Sequence, residues 1–134
     1  SCISLFRSQN LIEWEFEGYA MTSGENSPLN PPWGAMESPY IIRLDGLYYL
    51  FITYTDCSQE NYHNTLVFVS SDPRNFGIYN GGNGGAIPIT TLHAHAPEIV
   101  LDDGQYYITT CGWLDYDTPI SGAVAIAKLD FKEQ

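Results

Sequence analysis

Glu37-Ser38-Pro39-Tyr40-Ile41-Ile42-Arg43-Leu44-Asp45-Gly46-Leu47-Tyr48-Tyr49-Leu50 is the stretch on which the fold turns, because it occurs twice. Laid over His95-Ala96-Pro97-Glu98-Ile99-Val100-Leu101-Asp102-Asp103-Gly104-Gln105-Tyr106-Tyr107-Ile108, its proline, Asp-Gly pair and Tyr-Tyr pair all align without a gap. Pro97, Gly104 and Tyr107 each follow their counterparts Pro39, Gly46 and Tyr49 by 58 positions. Carried further, the same offset sets Leu66-Val67-Phe68-Val69 on Val124-Ala125-Ile126-Ala127. A fixed period of this length marks a repeat architecture, in which each unit needs its neighbours to bury its faces.

Each unit reads as strands. Proline at the head of a short apolar run is tolerated because no ladder donor is yet required. Asp-Gly is a hairpin dipeptide, since glycine reaches positive φ at no steric cost. The runs Tyr48 to Tyr54 and Tyr106 to Cys111 are apolar on both faces, as strands sandwiched between neighbouring sheets should be. Third strands are expected at Leu66 to Ser71 and Ala123 to Leu129, and a short fourth strand near Ile78, after the turn Asp72-Pro73-Arg74-Asn75-Phe76. The N-terminus repeats the end of a unit: Ile3 to Ser8 matches Val67 to Ser71, and Glu13-Trp14-Glu15-Phe16-Glu17 alternates like an outer strand. Segments Thr22 to Trp33 and Tyr79 to Thr90, rich in Gly, Pro, Asn and Ser, are the connections.

The expected fold is therefore all-β, built of β-propeller blades that are four-stranded antiparallel sheets. One partial propeller domain runs over 1–134: the end of one blade over 1–20, a full blade over 33–80, and a partial blade over 91–134. A closed propeller needs more blades, so this reading makes the chain a fragment of a longer polypeptide. Its open faces call for packing against missing blades or for self-association.

Composition narrows the partners. Sixteen Asp and Glu against five Lys and Arg leave a formal net charge of −11, which repels phosphate backbones and anionic lipid. Nucleic acid and membrane are thereby disfavoured, and neutral, hydroxyl-rich ligands remain. No apolar run approaches the ~20 residues that span a bilayer, and Ser1-Cys2-Ile3-Ser4-Leu5-Phe6 is not an intact signal peptide. The cellular compartment stays open, a secreted or periplasmic parent protein being among the options. Cys2, Cys57 and Cys111 lack CxxC spacing and read as ordinary thiols rather than a disulfide framework.

The pattern Ser8-x-Asn10-Leu11-x-x-Trp14, Trp33, Glu37-Ser38-Pro39 and Asp45-Gly46-x-Tyr48-Tyr49-Leu50-Phe51 resembles the five-bladed propeller glycoside hydrolases. These are the arabinanase and β-xylosidase family 43, the invertase-like family 32 and their relatives. The resemblance spans almost the whole chain. It implies hydrolysis of O-glycosidic bonds in arabinose-, xylose- or fructose-containing saccharides, with Glu37 as the general acid because Glu-Ser-Pro is similar to the group's acid motif. The group's other two carboxylates lie on earlier blades that these 134 residues do not contain, so the segment is expected to be inactive alone. The alternatives are a non-catalytic carbohydrate-binding or scaffolding propeller, and a truncated product without activity.

Glu37 heads an innermost strand, where a side chain faces a propeller's central cavity; its bland role would be to cap a strand end or pair a backbone amide. A glycosidase needs one carboxyl held protonated for the leaving oxygen and a second, opposed carboxylate. His95 is the repeat equivalent of Glu37, so it too should face the cavity, where it either contacts a sugar hydroxyl or tunes the acid, or is a satisfied structural histidine. His93 and His95 form a His-x-His pair, but no third ligand stands at suitable spacing, so no metal and no cofactor is assigned. Trp33 and Trp113 supply indole faces for stacking on sugar rings, whereas Trp14 reads as packing between blades. Tyr48, Tyr49, Tyr106 and Tyr107 read as blade core. Asp115 and Asp117 are too sparse for a calcium loop, and Gly81 to Gly85 lacks the Lys-Ser/Thr of a phosphate loop.

Overall fold

The computed structural model describes residues 1–27, 35–55, 64–81, 84–111 and 124–131. Among these residues ten strands form in chain order: β1 (Cys2–Arg7), β2 (Glu15–Ser23), β3 (Ala35–Leu44), β4 (Leu47–Thr55), β5 (Asn64–Ser70), β6 (Ile78–Tyr79), β7 (Thr90–His93), β8 (Ile99–Asp102), β9 (Gln105–Cys111) and β10 (Val124–Leu129). They build three sheets, ordered β1-β2-β6, β3-β4-β5-β7 and β8-β9-β10. The all-β reading holds.

Burial explains why the middle sheet is central. β4 alternates with period two and is covered on both faces. Leu50 and Ile52 pack with Leu66 and Phe68 of β5 against Ala20 and Met21 of β2. Phe51 and Val67 point the other way, against Ile99, Tyr106, Ile108 and Leu129 of the C-terminal sheet. Full burial of side chains of this size contributes about 1.5–3 kcal/mol each, so β4 is the strand that ties the three layers together. Tyr40 adds a polar tie, its hydroxyl donating to the Ile99 carbonyl at 3.0 Å.

The repeat reproduces backbone geometry as well as sequence. Asp45 and Gly46 take φ of 50° and 82°, and Asp103 and Gly104 take 44° and 79°. Two successive positive-φ residues define the tight hairpin turn whose twist matches antiparallel strands. Ser38 and Ala96, again equivalent, sit at φ 49° and 45°. Around Ser38 the register passes from Glu37 opposite Thr53 to Tyr40 opposite Phe51, so Ser38 and Pro39 together face the one residue Ile52. That is a β-bulge. The C-terminal sheet repeats it, with the Cys111 amide on the His95 carbonyl and the Thr109 amide on the Glu98 carbonyl.

Three expectations change. The strand near Ile78 exists, but it pairs parallel with β2 of the N-terminal sheet. The fourth strand of the central sheet is instead β7, Thr90–His93, antiparallel to β5. The chain between β5 and β7 therefore detours to the neighbouring sheet's edge before returning, anchored there by the Phe76 amide on the Ala20 carbonyl at 2.7 Å.

The second change is register. Tyr49 faces Val69 and Phe51 faces Val67 in the central sheet, whereas Tyr107 faces Lys128 and Thr109 faces Ile126 in the C-terminal one. Spatially, Ile126 is thus the counterpart of Val67 rather than of Phe68, an offset of 59 in this strand. The extra residue falls between β9 and β10. Because side chains alternate, a slip of one exchanges the faces. Val124 and Ile126 consequently lie outward, 74% and 64% exposed, and Tyr107 shares that outer face, outside the buried clusters. Thirdly, Trp14, expected to pack between blades, is 55% exposed, and Phe6, Phe16 and Tyr19 form an exposed ring cluster with centroids 5.4 Å apart on the N-terminal sheet.

Candidate functional site

Glu37 is the third residue of β3, immediately before the bulge. Its directly opposed neighbour is Thr53, so the two side chains share a face. Thr53 lies two residues from Phe51, which packs toward the C-terminal sheet, and Glu37 therefore projects on that side too. Glu37 is partly buried, and its Oε1 is enclosed with no hydrogen-bond partner. Leaving a buried acceptor unpaired costs about 1–3 kcal/mol, and more for a charged group. An oxygen held in that state is one that a ligand can satisfy.

Beside Thr53 the chain passes from β7 to β8 through Ala94-His95-Ala96. This segment is pinned from several directions. Thr65 donates its hydroxyl to the Ala94 carbonyl at 2.7 Å. The Ala96 amide donates to Thr53 Oγ1 at 2.8 Å, and the His95 amide donates to Thr110 Oγ1 at 2.9 Å. The His95 carbonyl accepts from the Cys111 amide at 3.0 Å. Thr53 and Thr65 are 0% exposed, and His95 and Thr110 are each 9% exposed. Apart from Ser27, these four are all the buried polar residues among those described. Buried polar groups are normally satisfied, so the unpaired Glu37 Oε1 opposite Thr53 stands out along this seam.

The structure thus brings together two of the expected residues. Glu37 and His95 occupy equivalent positions against Thr53 and Cys111, and Thr53 connects the two through its bond to Ala96. Each is followed by a non-glycine residue in the left-handed region, Ser38 and Ala96, a conformation that collects at functional sites. Trp33 and Trp113 lie outside the described residues, as do Asp115, Asp117 and Cys57. His93 ends β7 opposite Asn64 and is exposed, unlike His95. Among the described residues no group of three or more His, Cys, Asp or Glu side chains is placed to hold a metal ion.

Sequence reasoning passed over Thr53, Thr65 and Thr110. The signal was present in β4, where Leu50-Phe51-Ile52-Thr53 introduces a hydroxyl into a run buried on both faces. The larger cavities lie elsewhere. One of about 450 Å³, lined by Val67, Val69, Ile89 and Leu92 with Leu129 and Phe131, separates the outer strands of the central and C-terminal sheets. Its apolar walls make it a gap in sheet packing, not a place for polar chemistry.

No protein-family model matches this chain, and no curated protein matches it in sequence. Solved structures do match. A GH43 β-1,3-galactosidase superposes with a TM-score of 0.58 at 16% identity over 80% of this chain and 23% of its own length. GH43B of the Bacteroides ovatus xyloglucan PUL superposes with a TM-score of 0.55 at 21% identity over 93% of this chain and 25% of its length. At these identities the likeness shows the fold: the three sheets are β-propeller blades of the kind found in family 43 glycoside hydrolases, one of them complete and two partial. The chain spans about a quarter of the length of either structure.

Proposed function

We propose that this chain is the acid-bearing segment of a five-bladed glycoside hydrolase propeller, with Glu37 protonating the leaving oxygen of an O-glycosidic bond. The observation that carries the reading is the buried, unpartnered Oε1 of Glu37, which opposes Thr53, whose hydroxyl oxygen accepts from the amide next to His95. A carboxyl in that position can hand a proton to a glycosidic oxygen, while the His95 imidazole supplies a hydrogen bond to a sugar hydroxyl. Trp33 and Trp113 are assigned as the stacking faces for the sugar. The opposed carboxylate comes from further blades, and the segment is inactive without them.

The substrates proposed are arabinosides, xylosides and fructosides, on the resemblance of the Glu-Ser-Pro blade pattern. β-Galactosides join them, because one structural neighbour is a β-1,3-galactosidase. The test is Glu37→Gln in the full polypeptide, assayed on alkyl glycosides of all four sugars, whose leaving alkoxides need a proton. The expected result is a loss of turnover of at least ~100-fold, the scale of general acid catalysis. Wild-type turnover by this variant would refute the assignment.

A second reading makes these blades part of a non-catalytic, carbohydrate-binding propeller. In that reading the blades bind saccharide without cleaving it. Oligosaccharide binding that survives in wild type with no turnover on any of the four glycosides would select it.

A further inference from the structure

We propose that Thr53, assisted by Thr65, is the positioning residue of this site: it sets His95 against Glu37 by gripping the chain between β7 and β8. The inference rests on the reading of Glu37 and His95 as the functional pair and adds the part that holds them.

Three observations lead to it. The first is the choice of residue. β4 and β5 are otherwise filled at this level by Leu50, Phe51 and Ile52 and by Leu66, Val67 and Phe68, all buried. Thr53 and Thr65 face one another across these strands and are fully enclosed. Valine has the same shape and would avoid burying a hydroxyl, so packing alone does not select threonine here.

The second is where the hydroxyls go. Both bond into the segment Ala94-His95-Ala96, Thr65 donating to the Ala94 carbonyl and Thr53 accepting from the Ala96 amide, one on each side of His95. Ala96 is held at φ 45°, a conformation an alanine leaves readily unless its surroundings impose it. The Thr53 bond falls on this residue's own amide, so losing it frees the strained turn that orients His95.

The third comes from the repeat. The positions in the C-terminal sheet equivalent to Thr53 and Thr65 are Cys111 and Val124. The hydroxyl pair therefore belongs to the seam that carries Glu37 and is not part of the blade pattern.

The experiment compares the full chain with its Thr53→Val, Thr53→Ser and Thr65→Val variants, and with Leu66→Val as a control. Leu66 is buried in the same strand as Thr65 but faces the N-terminal sheet. Chemical shifts of the Glu37 carboxyl carbon and the His95 ring are read at fixed pH without ligand, together with hydrogen exchange at the Ala96 amide. Thr53→Val should displace both side-chain signals and speed Ala96 exchange about tenfold or more, the loss expected of one hydrogen bond. Thr65→Val should displace the His95 signals, Thr53→Ser should restore the wild-type pattern, and Leu66→Val should leave it in place. Unmoved His95 signals in Thr53→Val, equal displacement by Leu66→Val, or no rescue by serine would each overturn the proposal. A parallel titration with arabino-, xylo- and fructo-oligosaccharides keeps the two levels apart. If no sugar perturbs Glu37 in the wild type, the functional reading falls, and the ligand-free comparison still decides the role of Thr53.

Discussion

Replacing Ile126 with threonine in the 134-residue chain probes the point at which the blade repeat loses its register. Under a uniform 58-residue offset Ile126 is the counterpart of Phe68, which is 1% exposed between the N-terminal and central sheets. A threonine there would forfeit the roughly 1.5–3 kcal/mol of a buried aliphatic side chain. It would also enclose an unpaired hydroxyl at a further cost of about 1–3 kcal/mol. In the observed pairing Ile126 faces Thr109 and points away from the central sheet. With 64% of it already in water, about a third of the burial term is at stake, or about 0.5–1 kcal/mol. Threonine also keeps the β-branched shape a strand favours.

Urea unfolding followed by far-ultraviolet circular dichroism separates the two cases. With m near 1–3 kcal/mol/M for a chain of this size, Ile126→Thr should lower the midpoint by roughly 0.2–1 M at unchanged m. Leu129→Thr is the companion variant, because Leu129 opposes Tyr106 and packs in the cluster between the central and C-terminal sheets. It should cost more, because Leu129 keeps more of its side chain out of water than Ile126 does. An Ile126→Thr loss equal to or greater than that of Leu129→Thr would show that β10 pairs one residue away from the register described.

The two hairpin glycines offer a matched pair: a Cβ at Gly46 or Gly104 meets nothing within 4 Å, so Gly→Ala at either should cost about 1–2 kcal/mol through φ alone, and a neutral result at either by thermal unfolding would contradict the shared turn. Asp72 titrates below the ordinary 3.8 because the Arg74 amide and guanidinium hydrogen-bond its carboxylate. Its contribution to stability is therefore present above that value and lost as pH falls through the folded-state midpoint. Arg74→Gln should move the midpoint, read by carboxyl carbon resonance, part of the way back up, since the backbone donor remains; a wild-type midpoint at or above 3.8 would refute the contact.

What could be read from sequence follows from how tightly each feature is tied to local chemistry. Asp45-Gly46 and Asp103-Gly104 fix their hairpins because only a glycine-tolerant turn closes so short a connection, and the strands on either side inherit their pairing from it. The equivalence of Glu37 and His95 survives for the same reason, each standing two residues before a proline on the run that leads into a locked hairpin. β10 has no such anchor: twelve residues separate it from β9 in the sequence, and one added residue there turns its apolar side chains to the other face without altering the pattern that identifies a strand. The site of the fourth strand was likewise hidden, because Ile78–Tyr79 and Thr90–His93 are both short and β-prone. The choice between them is made by long-range partners, β2 for the first and β5 for the second. The threonine grip was legible only as an oddity, polar residues inside strands buried on both faces.

The same bulge, with the same left-handed residue, stands after Glu37 and after His95, so the backbone that presents a side chain at this end of a blade is generic to the repeat. What differs between the blades is confined to the side chains placed on that backbone and to the hydroxyls behind them: a carboxylate opposite Thr53 in one, an imidazole opposite Cys111 in the other. A fold in which every blade offers an equivalent inward position can gain a site by varying a few residues at those positions while the layers around β4 stay packed. Stability and chemistry are then separable. Phe51 and Ile52 hold the sheets together, and Thr53, the next residue along the same strand, carries no apolar packing that valine would not supply. The adjacency predicts opposite responses: truncating Phe51 should unfold the chain, whereas exchanging Thr53 for valine should leave it folded and disturb only the seam between Glu37 and His95.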